Sequence, residues 1–546
     1  MVLEGGGTGE GRGRGVGGDP ERVRLVEQCP RCGAETWSGK RVSQGSLSRA
    51  GPSSPSKFHN FPEFSSAATP PGCAANPRRL RAPPSPCAPR RVQQTWWLPS
   101  AWAWCTAGSP GSQSTTCASP TSLGGHGSDA MHTDPDYSAA YVVLETDVED
   151  GLKGYGITFT LGRGTEVVVC AVNALAPHVL NKDLGDIVGD FRGFYRQLTS
   201  DGQLRWIGPE KGVVHLATAA VLNAVWDLWA KQEGKPLWKL LVDMDPQTLV
   251  SCIDFRYITD VLTEEEACEI LRQSQVGKKE REEQMLAHGY PAYTTSCAWL
   301  GYPDATLKQL CSEALKDGWT RFKVKVGADL QDDIRRCRLI RNMIGPEKTL
   351  MMDANQRWDV PEAVEWMTKL AEFKPLWIEE PTSPDDILGH AAISKALAPL
   401  GIGVATGEQC HNRVIFKQLL QAKALKFLQI DSCRLGSVNE NLSVLLMAKK
   451  FDIPVCPHAG GVGLCELVQH LIIFDFISVS ASLQDRMCEY VDHLHEHFKY
   501  PVLIREASYM PPKDAGYSTE MKEDSVKRHR YPDGEVWKKL LTAQGN

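Results

Sequence analysis

The sequence predicts an α/β protein, in which a (β/α)8-type TIM barrel carries an α+β capping domain and a disordered amino-terminal extension. Strand and helix patterns alternate from about residue 251 onward, which is typical of parallel βα units. Three of the predicted strands end in an acidic residue, at intervals of roughly one strand-plus-helix unit of such a barrel, or about 30 residues. A small sheet followed by helices comes before them and indicates a separate α+β domain.

The chain divides into four predicted parts. The first is rich in Gly, Ser, Pro, Ala and Arg, a composition that cannot bury enough apolar surface to offset the entropy of ordering. We therefore expect a disordered extension at residues 1–119, the capping domain at 120–250, the barrel at 251–505, and a tail that packs on the surface at 506–546.

The capping domain is predicted from one hairpin and one long helix. Two strand patterns, at residues 141–147 and 154–160, are joined by a short acidic turn. Apolar residues then recur at three- and four-residue steps, as on one face of a helix, at Val214, Ala217, Val221, Val225 and Leu228.

Eight candidate strands follow, which is the number that closes such a barrel. They lie at residues 294–299, 321–326, 350–353, 375–378, 402–405, 427–431, 453–458 and 476–480. Residues 251–258 compete for the first place, but the later candidate leads through a helix directly into the second strand. On this assignment, residues 264–284 form a charged helical insertion.

The composition argues against two classes of partner. The formal net charge is −6 and 23% of the residues are charged, so nothing indicates nucleic-acid binding. We expect no membrane contact, because no apolar run approaches the ~20 residues that a span needs. The 17 cysteines are scattered, some of them inside predicted strands, which suits a reducing compartment.

The acids at the strand ends are Asp353, Glu379 and Glu408. The carboxyl ends of neighbouring parallel strands meet at one rim of a barrel, so we expect these side chains to converge. Three carboxylates that close would raise one another's pKa unless a cation lay between them. Oxygen ligands favour a hard ion, and we predict Mg²⁺ ahead of Mn²⁺ or Zn²⁺.

Lys323 and Lys325 alternate on one strand, so both amines point to the same face. If that face is the barrel interior, mutual repulsion and burial should lower their pKa values, as a lysine general base requires. The alternative is a pair of lysines that face solvent on a half-exposed strand.

Asp431 and His458 end the sixth and seventh predicted strands. A carboxylate beside an imidazole orients it and raises its basicity, which suits acid–base catalysis. The alternative for His458 is an ordinary loop histidine. Glu489 follows the eighth predicted strand, and on the sequence alone it is as well explained by a surface acid.

These residue types together predict one class of reaction. A cation that holds the carboxylate of a substrate acidifies its α-proton, and Lys or His then removes that proton. Return of the proton gives racemisation, whereas loss of a β-hydroxyl gives dehydration.

The motifs at the strand ends resemble those of the enolase superfamily, in its mandelate racemase-like subgroup, and are most similar to the L-fuconate dehydratases. The matching pieces are Lys323-Val324-Lys325, Asp353-Ala354-Asn355-Gln356, Trp377-Ile378-Glu379-Glu380-Pro381, Gly407-Glu408-Gln409, Asp431, His458 and the run Asp254-Phe255-Arg256-Tyr257. The resemblance covers residues 120–546.

The resemblance implies roles for individual residues in a Mg²⁺-dependent hydro-lyase acting on L-fuconate. Asp353, Glu379 and Glu408 would bind the metal, Lys325 would remove the α-proton, and His458, oriented by Asp431, would protonate the departing 3-hydroxyl. The implied substrate contacts are Gly127, Ser128, Asp129, Tyr137, Lys323, Glu408, His458, Ala459, Gly460 and Glu489. The first four lie on the loop at residues 124–137, which would close over the substrate.

The resemblance also implies a mitochondrial location, with the cytoplasm as the alternative because acidic residues near the start are not typical of a targeting peptide. The expected partner is a small sugar acid, and a homo-oligomer is compatible with the sequence. Two other functions stay open: a dehydratase or epimerase of another acid sugar, and a non-catalytic regulatory protein on the same scaffold.

One departure from the family pattern concerns residues 105–119. The family's capping domain opens with a strand just before the mobile loop, whereas these residues show no strand alternation and are rich in Ser, Gly and Pro. We therefore expect an altered amino terminus, a cap sheet that lacks an edge strand, and a loose lid.

Overall fold

The computed structural model describes residues 92–93, 114–147 and 151–543. All of them fall within one compact unit, Ser85–Asn546. The predicted disorder of the extension concerns residues that mostly lie outside the described part of the chain.

An antiparallel sheet opens the described chain, with its longest strand paired to the other three. Its strands are β1 (Val92–Gln93), β2 (Thr115–Ala118), β3 (Ser138–Thr146) and β4 (Lys153–Thr160). Two glycines of β4 let a helix pack directly on this sheet. A Cβ atom at Gly156 would lie 2.0 Å from the carbonyl oxygen of Ala220, and one at Gly154 would lie 2.3 Å from that of Ala224.

The expectation that the cap sheet lacks the strand before the lid was wrong. Residues 115–118 pair antiparallel with β3, from Thr115 opposite Tyr141 to Ala118 opposite Ser138. The same strand also holds the carboxyl-terminal tail, since Trp537 donates its indole N–H to the carbonyl oxygen of Ala118 at 2.8 Å. A Thr-Thr-Cys-Ala run is too short to show alternation, and its pairing partner decides its conformation.

We expect removal of residues 1–119 to destabilise the protein more than removal of residues 1–113. The longer deletion removes the β2–β3 ladder and the buried side chains of Cys117 and Ala118, at a cost of at least about 2 kcal/mol. Melting temperatures of the two shortened proteins, measured side by side, test this. Equal melting temperatures would mean that β2 contributes nothing to stability.

Seven α-helices follow the cap sheet and end at Ser251. They are α1 (Thr165–Leu175), α2 (Leu184–Gly189), α3 (Phe191–Thr199), α4 (Leu204–Ile207), α5 (Gly212–Gln232), α6 (Leu237–Asp243) and α7 (Pro246–Ser251). Helix α5 confirms the predicted helical periodicity, and it is buried on nearly all sides rather than on one face.

Helix α5 also corrects the expectation that no apolar run reaches the length of a membrane span. It has 21 residues with a mean hydropathy of 1.4 over an 18-residue window, of which 89% is buried inside the protein. Burial of this kind is typical of a core helix, so its length and composition are weak evidence for a span.

The eight barrel positions are occupied by seven strands and one extended segment. The strands are β5 (Tyr290–Thr294), β6 (Arg321–Lys325), β7 (Thr349–Asp353), β8 (Trp377–Glu379), β9 (Gly403–Thr406), β10 (Phe427–Leu428) and β11 (Cys488–Tyr490). The seventh position is the segment at 453–458, which bridges to β10 through Val455 and Leu428. Parallel pairing of β11 with β5 closes the ring.

Two of the eight predicted strands were misplaced. The first barrel strand is β5, which shares only Thr294 with the predicted range, and residues 251–258 form the end of α7 and a turn. The predicted eighth strand, Phe476–Ser480, is a π-helical turn that continues the preceding helix. Its β-branched and aromatic residues favour a strand locally, but each is buried in the helical layer, and tertiary packing overrides the local preference.

The barrel helices alternate with the strands as predicted. They are α10 (Asp304–Lys316), α11 (Leu330–Ile344), α12 (Val360–Leu370), α13 (Ile387–Leu397), α14 (Arg413–Gln421), α15 (Ser437–Lys450) and α16 (Leu464–Asp475). The charged insertion is helical, as α8 (Glu264–Gln273) and α9 (Lys278–His288).

The tail is not confined to the surface, which corrects the expectation for residues 506–546. Strand β12 (Ile504–Arg505) comes directly before it, and the tail contains β13 (Ser508–Tyr509), α17 (Glu523–His529) and α18 (Glu535–Ala543). Strand β13 pairs with β5, and Tyr509, Tyr517 and Thr519 are fully buried. Tyr517 donates its backbone N–H to Asp227 of α5 at 2.7 Å, so the tail contacts both the barrel and the cap helix.

Candidate active site

The three predicted acidic residues converge at the carboxyl ends of β7, β8 and β9. Pairing in register places Lys325 beside Asp353, and Asp353 beside Glu379, at one level of the barrel. Glu408 follows β9 by two residues. One oxygen atom from each of the three carboxylates lies within 4.8 Å of the other two.

The turn before Glu408 requires a glycine. Gly407 has φ +144°, and a Cβ atom there would lie 1.8 Å from the carbonyl oxygen of Gln429. Positive φ values also occur at non-glycine residues just past the neighbouring strand tips, at Asn355, Gln356 and Glu380. Such strained positions concentrate at functional sites.

Both lysines point into the barrel, which settles the alternative of a solvent-facing pair. Lys323 Nζ donates to Glu379 Oε1 at 2.6 Å and lies 2.7 Å from Glu489 Oε1. Lys325 Nζ donates to Asp353 Oδ2 at 2.6 Å and to Asn355 Oδ1 at 3.0 Å. The amines therefore neutralise the crowded carboxylates.

The predicted direction of the lysine pKa shifts was wrong. Burial lowers the pKa of Lys325, but the charge of Asp353 outweighs burial and raises that pKa above its ordinary value. For Lys323, Glu379 and Glu489 outweigh burial in the same way. Burial and the charge of Asp353 raise the pKa of Glu379 to about 8. Several acids surround each amine, and this excess of negative charge decides the direction of the lysine pKa shifts.

Asp431 and His458 form the predicted pair, with His458 Nδ1 2.7 Å from Asp431 Oδ2. The other carboxylate oxygen of Asp431 accepts the backbone N–H groups of Cys433 and Arg434, each at 2.7 Å, so the carboxylate is held in place. Burial disfavours the imidazolium, but Glu408 and the hydrogen bond to Asp431 raise the pKa of His458 to about 10. The neighbouring carboxylates therefore favour the protonated imidazole.

Glu489 is part of the site rather than a surface acid, and it lies on β11 rather than beyond it. Its Oε2 accepts the backbone N–H of Ala459 at 3.0 Å and lies 3.7 Å from His458 Nε2. Burial opposes its ionisation, but Lys323 and His458 lower the pKa of Glu489 to about 2.

A cavity of about 300 Å³ lies above these strand tips. Of the residues predicted for the site, nine line it: Gly127, Asp129, Tyr137, Lys325, Glu408, Asp431, His458, Gly460 and Glu489. The loop at 124–137 therefore forms part of the wall. It is tied to the barrel by a hydrogen bond from the backbone N–H of Leu300 to the carbonyl oxygen of Ser128, at 3.0 Å.

Three predicted substrate contacts do not line the cavity, and their contact with a substrate stays a prediction. Lys323 is fully buried one step deeper in the barrel, because inward-facing residues two apart on a strand lie at successive depths. Ser128 turns its hydroxyl to the carbonyl oxygen of Thr133 at 2.9 Å. Ala459 is fully buried and reaches Glu489 through its backbone N–H.

Sequence reasoning missed the residues that close the cavity from above and from the side. The capping region contributes a mainly apolar wall, formed by Phe159, Leu161, Val168, Val213 and Leu216, with Thr160, Arg163 and Gly164 beside them. Trp299, from the segment that follows the first barrel strand, and His132, from the lid, also line the cavity. Hydrophobic residues at strand and helix spacing read as ordinary core, and no local signal separates core from cavity wall.

Comparison with known proteins agrees with this geometry. Residues 128–242 match the mandelate racemase / muconate lactonizing enzyme N-terminal domain, and residues 306–525 match the enolase C-terminal domain-like family. The chain is 98% identical over 427 residues to mitochondrial enolase superfamily member 1 of Bos taurus, covering 78% of this chain and 96% of that protein. It is 54% identical over 416 residues to the L-galactonate dehydratase of Hypocrea jecorina, covering 76% of this chain and 92% of that enzyme.

A solved structure supports the same assignment. The crystal structure of human mitochondrial enolase superfamily member 1 superposes with a TM-score of 0.79 at 84% identity, covering 83% of this chain and 99% of that one. The names of these relatives place them in the mitochondrion, and the mitochondrial location of this chain stays a prediction. The combined capping domain, barrel and strand-end acids show that this chain belongs to the enolase superfamily, among the proteins related to mandelate racemase and muconate lactonizing enzyme.

Proposed function

We propose that this protein is a Mg²⁺-dependent sugar-acid dehydratase, a hydro-lyase that converts L-fuconate to 2-dehydro-3-deoxy-L-fuconate and water. The observation that carries the proposal is the arrangement at the strand tips. Three carboxylates lie within ligand distance of one another. The amine of Lys325 donates to one of them, Asp353, and the imidazole of His458 lies 3.5 Å from another, Glu408.

The donor set fits a hard divalent cation. Asp353, Glu379 and Glu408 would hold it through oxygen atoms that already lie close together, and such ligands favour Mg²⁺. Members of the enolase superfamily are known to combine a Lys or His base with Mg²⁺. The cation supplies positive charge that acidifies the α-proton of a bound carboxylate and offsets the negative charge that keeps Lys325 protonated.

Lys325 is the residue placed to remove the α-proton. Its amine lies at the cavity floor, held by Asp353 and by the Asn355 amide oxygen. In its neutral form it accepts the proton from C2 of the substrate, and its two hydrogen-bond partners fix the direction of the lone pair.

His458 is the residue placed to donate a proton to the departing 3-hydroxyl. It lies in the cavity wall on the far side of Glu408, with Nε2 3.5 Å from Glu408 Oε2. Asp431 accepts a hydrogen bond from its Nδ1 at 2.7 Å, which stabilises the imidazolium and fixes its orientation. Glu489 and the Gly460 backbone complete the wall beside it.

The apolar cap wall supports L-fuconate as the substrate. L-Fuconate is 6-deoxy-L-galactonate, so it differs from the substrate named for the Hypocrea jecorina relative only by a methyl group in place of the terminal CH₂OH. With the carboxylate at the strand tips, we place the sixth carbon at the cap side of the cavity, near Val213 and Leu216. An apolar wall favours the methyl group, because a hydroxyl there would lose its hydrogen bonds to water. L-Galactonate is the second candidate substrate.

The first test assays dehydration of L-fuconate with and without EDTA, on wild type and on His458→Asn. We expect EDTA to abolish turnover and His458→Asn to lower it at least about 100-fold, because asparagine cannot donate the proton. Exchange of the C2 hydrogen in D₂O should persist in the variant, since Lys325 is unchanged. His288→Asn, at an exposed histidine, is the control. Undiminished turnover in His458→Asn would rule out its role as the acid, and no turnover by wild type would rule out this substrate.

A second test examines the cap wall. Val213→Thr keeps the shape of the side chain but adds a hydroxyl where we place the methyl group of L-fuconate. We expect kcat/KM for L-fuconate relative to L-galactonate to fall about tenfold, equivalent to about 1.4 kcal/mol. Val276→Thr, at a residue that is 82% exposed, is the matched control. An unchanged ratio in Val213→Thr would place the sixth carbon elsewhere.

A further inference from the structure

The lid loop at residues 124–137 contains a tight turn, residues 129–132, which places His132 in the wall of the active-site cavity. The backbone N–H of Asp129 donates to the carbonyl oxygen of His132 at 2.9 Å and closes the turn. Oδ1 of Asp129 accepts the backbone N–H groups of Met131 and His132, at 2.8 and 2.7 Å. Met131 is 50% exposed and does not line the cavity, so the turn directs His132 rather than Met131 toward a ligand.

The barrel fixes this turn close to the strand that carries the proposed base. A Cβ atom at Gly327, two residues past Lys325, would lie 3.4 Å from the Cβ atom of Ala130. The turn therefore packs on the backbone that leaves this strand. The charges of Glu408 and Lys325 both act on the imidazole of His132, in keeping with a position over the strand tips.

His132 and Asp129 repeat the arrangement of the barrel pair, His458 and Asp431. In each pair, one carboxylate oxygen accepts the backbone N–H groups of the second and third residues after the aspartate. The other oxygen, Oδ2, lies 3.0 Å from the imidazole Nδ1 in the lid pair and 2.7 Å from it in the barrel pair. A carboxylate partner at Nδ1 fixes the ring and leaves Nε2 as the nitrogen that can bond to a ligand.

Nε2 of His132 has no hydrogen-bond or ion-pair partner among the described residues, and the side chain is 35% exposed. The hydrogen bond to Asp129 raises the pKa of His132, although partial burial opposes this, so the pair favours an imidazolium that donates through Nε2. The proposed reaction uses Lys325 and His458 but leaves this donor unused. A polar group that lines a ligand cavity without a partner is suited to bind a hydroxyl of the substrate.

We propose that His132 binds a hydroxyl of the sugar acid beyond C3, and that the lid thereby selects acids that carry this hydroxyl. The inference rests on the proposed function, in which the carboxylate lies at the strand tips, C2 faces Lys325 and the 3-hydroxyl faces His458. The hydroxyls at C4 and C5 are then the ones within reach of the lid. His132 contacts the substrate in this arrangement and takes no part in proton transfer at C2 or C3.

His132→Asn separates this contact from the integrity of the lid. Asparagine keeps a donor near the position of Nδ1, facing Asp129, but has no atom near the position of Nε2. We expect kcat/KM for L-fuconate to fall at least about tenfold, mainly through KM, because one hydrogen bond from a charged group is lost. Glutamine can place its amide near the position of Nε2, so His132→Gln should recover most of this loss.

The sharper comparison uses analogues of L-fuconate that lack the hydroxyl at C4 or at C5. We expect the loss in His132→Asn to vanish with the analogue that lacks the bonded hydroxyl and to persist with the other, because only one contact is removed. A structural effect of the substitution would lower kcat/KM for all three acids alike. Met131→Ala, on the same turn but outside the cavity wall, is the matched control and should keep the wild-type ratios.

Two outcomes overturn the proposal: an unchanged kcat/KM for L-fuconate in His132→Asn, and an equal loss for L-fuconate and both analogues. If the wild type turns over none of these acids, the proposed function fails. Calorimetric titration of the full-length Mg²⁺-loaded protein with the same acids, which are then not consumed, still decides for His132. A loss of affinity in His132→Asn that vanishes with one analogue supports the contact, whereas an equal loss, no loss or no binding overturns it.

Discussion

Replacing Lys325 by alanine is expected to lower dehydration of L-fuconate by at least about 1,000-fold, because general base catalysis contributes up to about 10⁴ to a rate. Lys325 is the lysine that lines the active-site cavity among the described residues. Exchange of the C2 hydrogen with D₂O should stop together with turnover. That double loss would separate Lys325 from His458, whose removal should leave exchange intact.

Lys325→Arg is the matched control for charge. Arginine keeps a positive charge beside Asp353, but it does not lose its proton in a protein and cannot act as a base. We expect the arginine variant to keep the melting temperature of wild type more closely than the alanine variant, and to be as inactive. Activity of either variant within tenfold of wild type would mean that another group removes the proton.

Replacing Glu379 by glutamine is expected to have a comparable effect through the metal. The substitution preserves size but removes one of three anionic ligands at the centre of the carboxylate group. It also weakens the contact with Lys323, whose amine donates to Glu379 Oε1 at 2.6 Å. We expect Mg²⁺ affinity to fall at least about 100-fold and turnover to fall at least about 1,000-fold.

Calorimetric titration of chelator-treated protein with Mg²⁺ measures this affinity without relying on activity. Glu365→Gln, at an exposed glutamate of α12, controls for the loss of one acidic residue. If Glu379→Gln binds Mg²⁺ as tightly as wild type does, the cation lies elsewhere and the proposed site is wrong. If the affinity falls but turnover does not, the cation has no part in the reaction.

Most of the site could be predicted because its residues sit at the tips of strands with strong local patterns. Asp353 follows a buried Leu-Met-Met strand, and the acids of the next two units follow similar apolar runs. Parallel neighbours in a closed barrel present their carboxyl ends at one rim, so position along the chain was enough to predict convergence. The pair of Asp431 and His458 could be predicted for the same reason.

Other features could not be predicted because distant contacts decide them. The run Phe476–Ser480 has strand composition but continues a helix, whereas the strand that carries Glu489 has only three residues and little pattern. Strand β2 forms because it pairs with β3 and is held by the tail, and both partners are distant from it in the sequence. The mainly apolar cavity wall could not be predicted either, because its residues come from several segments that meet only in the folded protein.

The sequence by itself determined the family, the order of the barrel units, and which strand tips carry carboxylates, amines and an imidazole, because each of these depends on residues close together in the chain. Only the tertiary structure decided the pKa shifts of those groups, the depth of Lys323 and the residues that close the cavity. The reason is physical: the pKa of a buried group and the shape of a cavity depend on neighbours from many segments, and those neighbours meet only once the chain has folded.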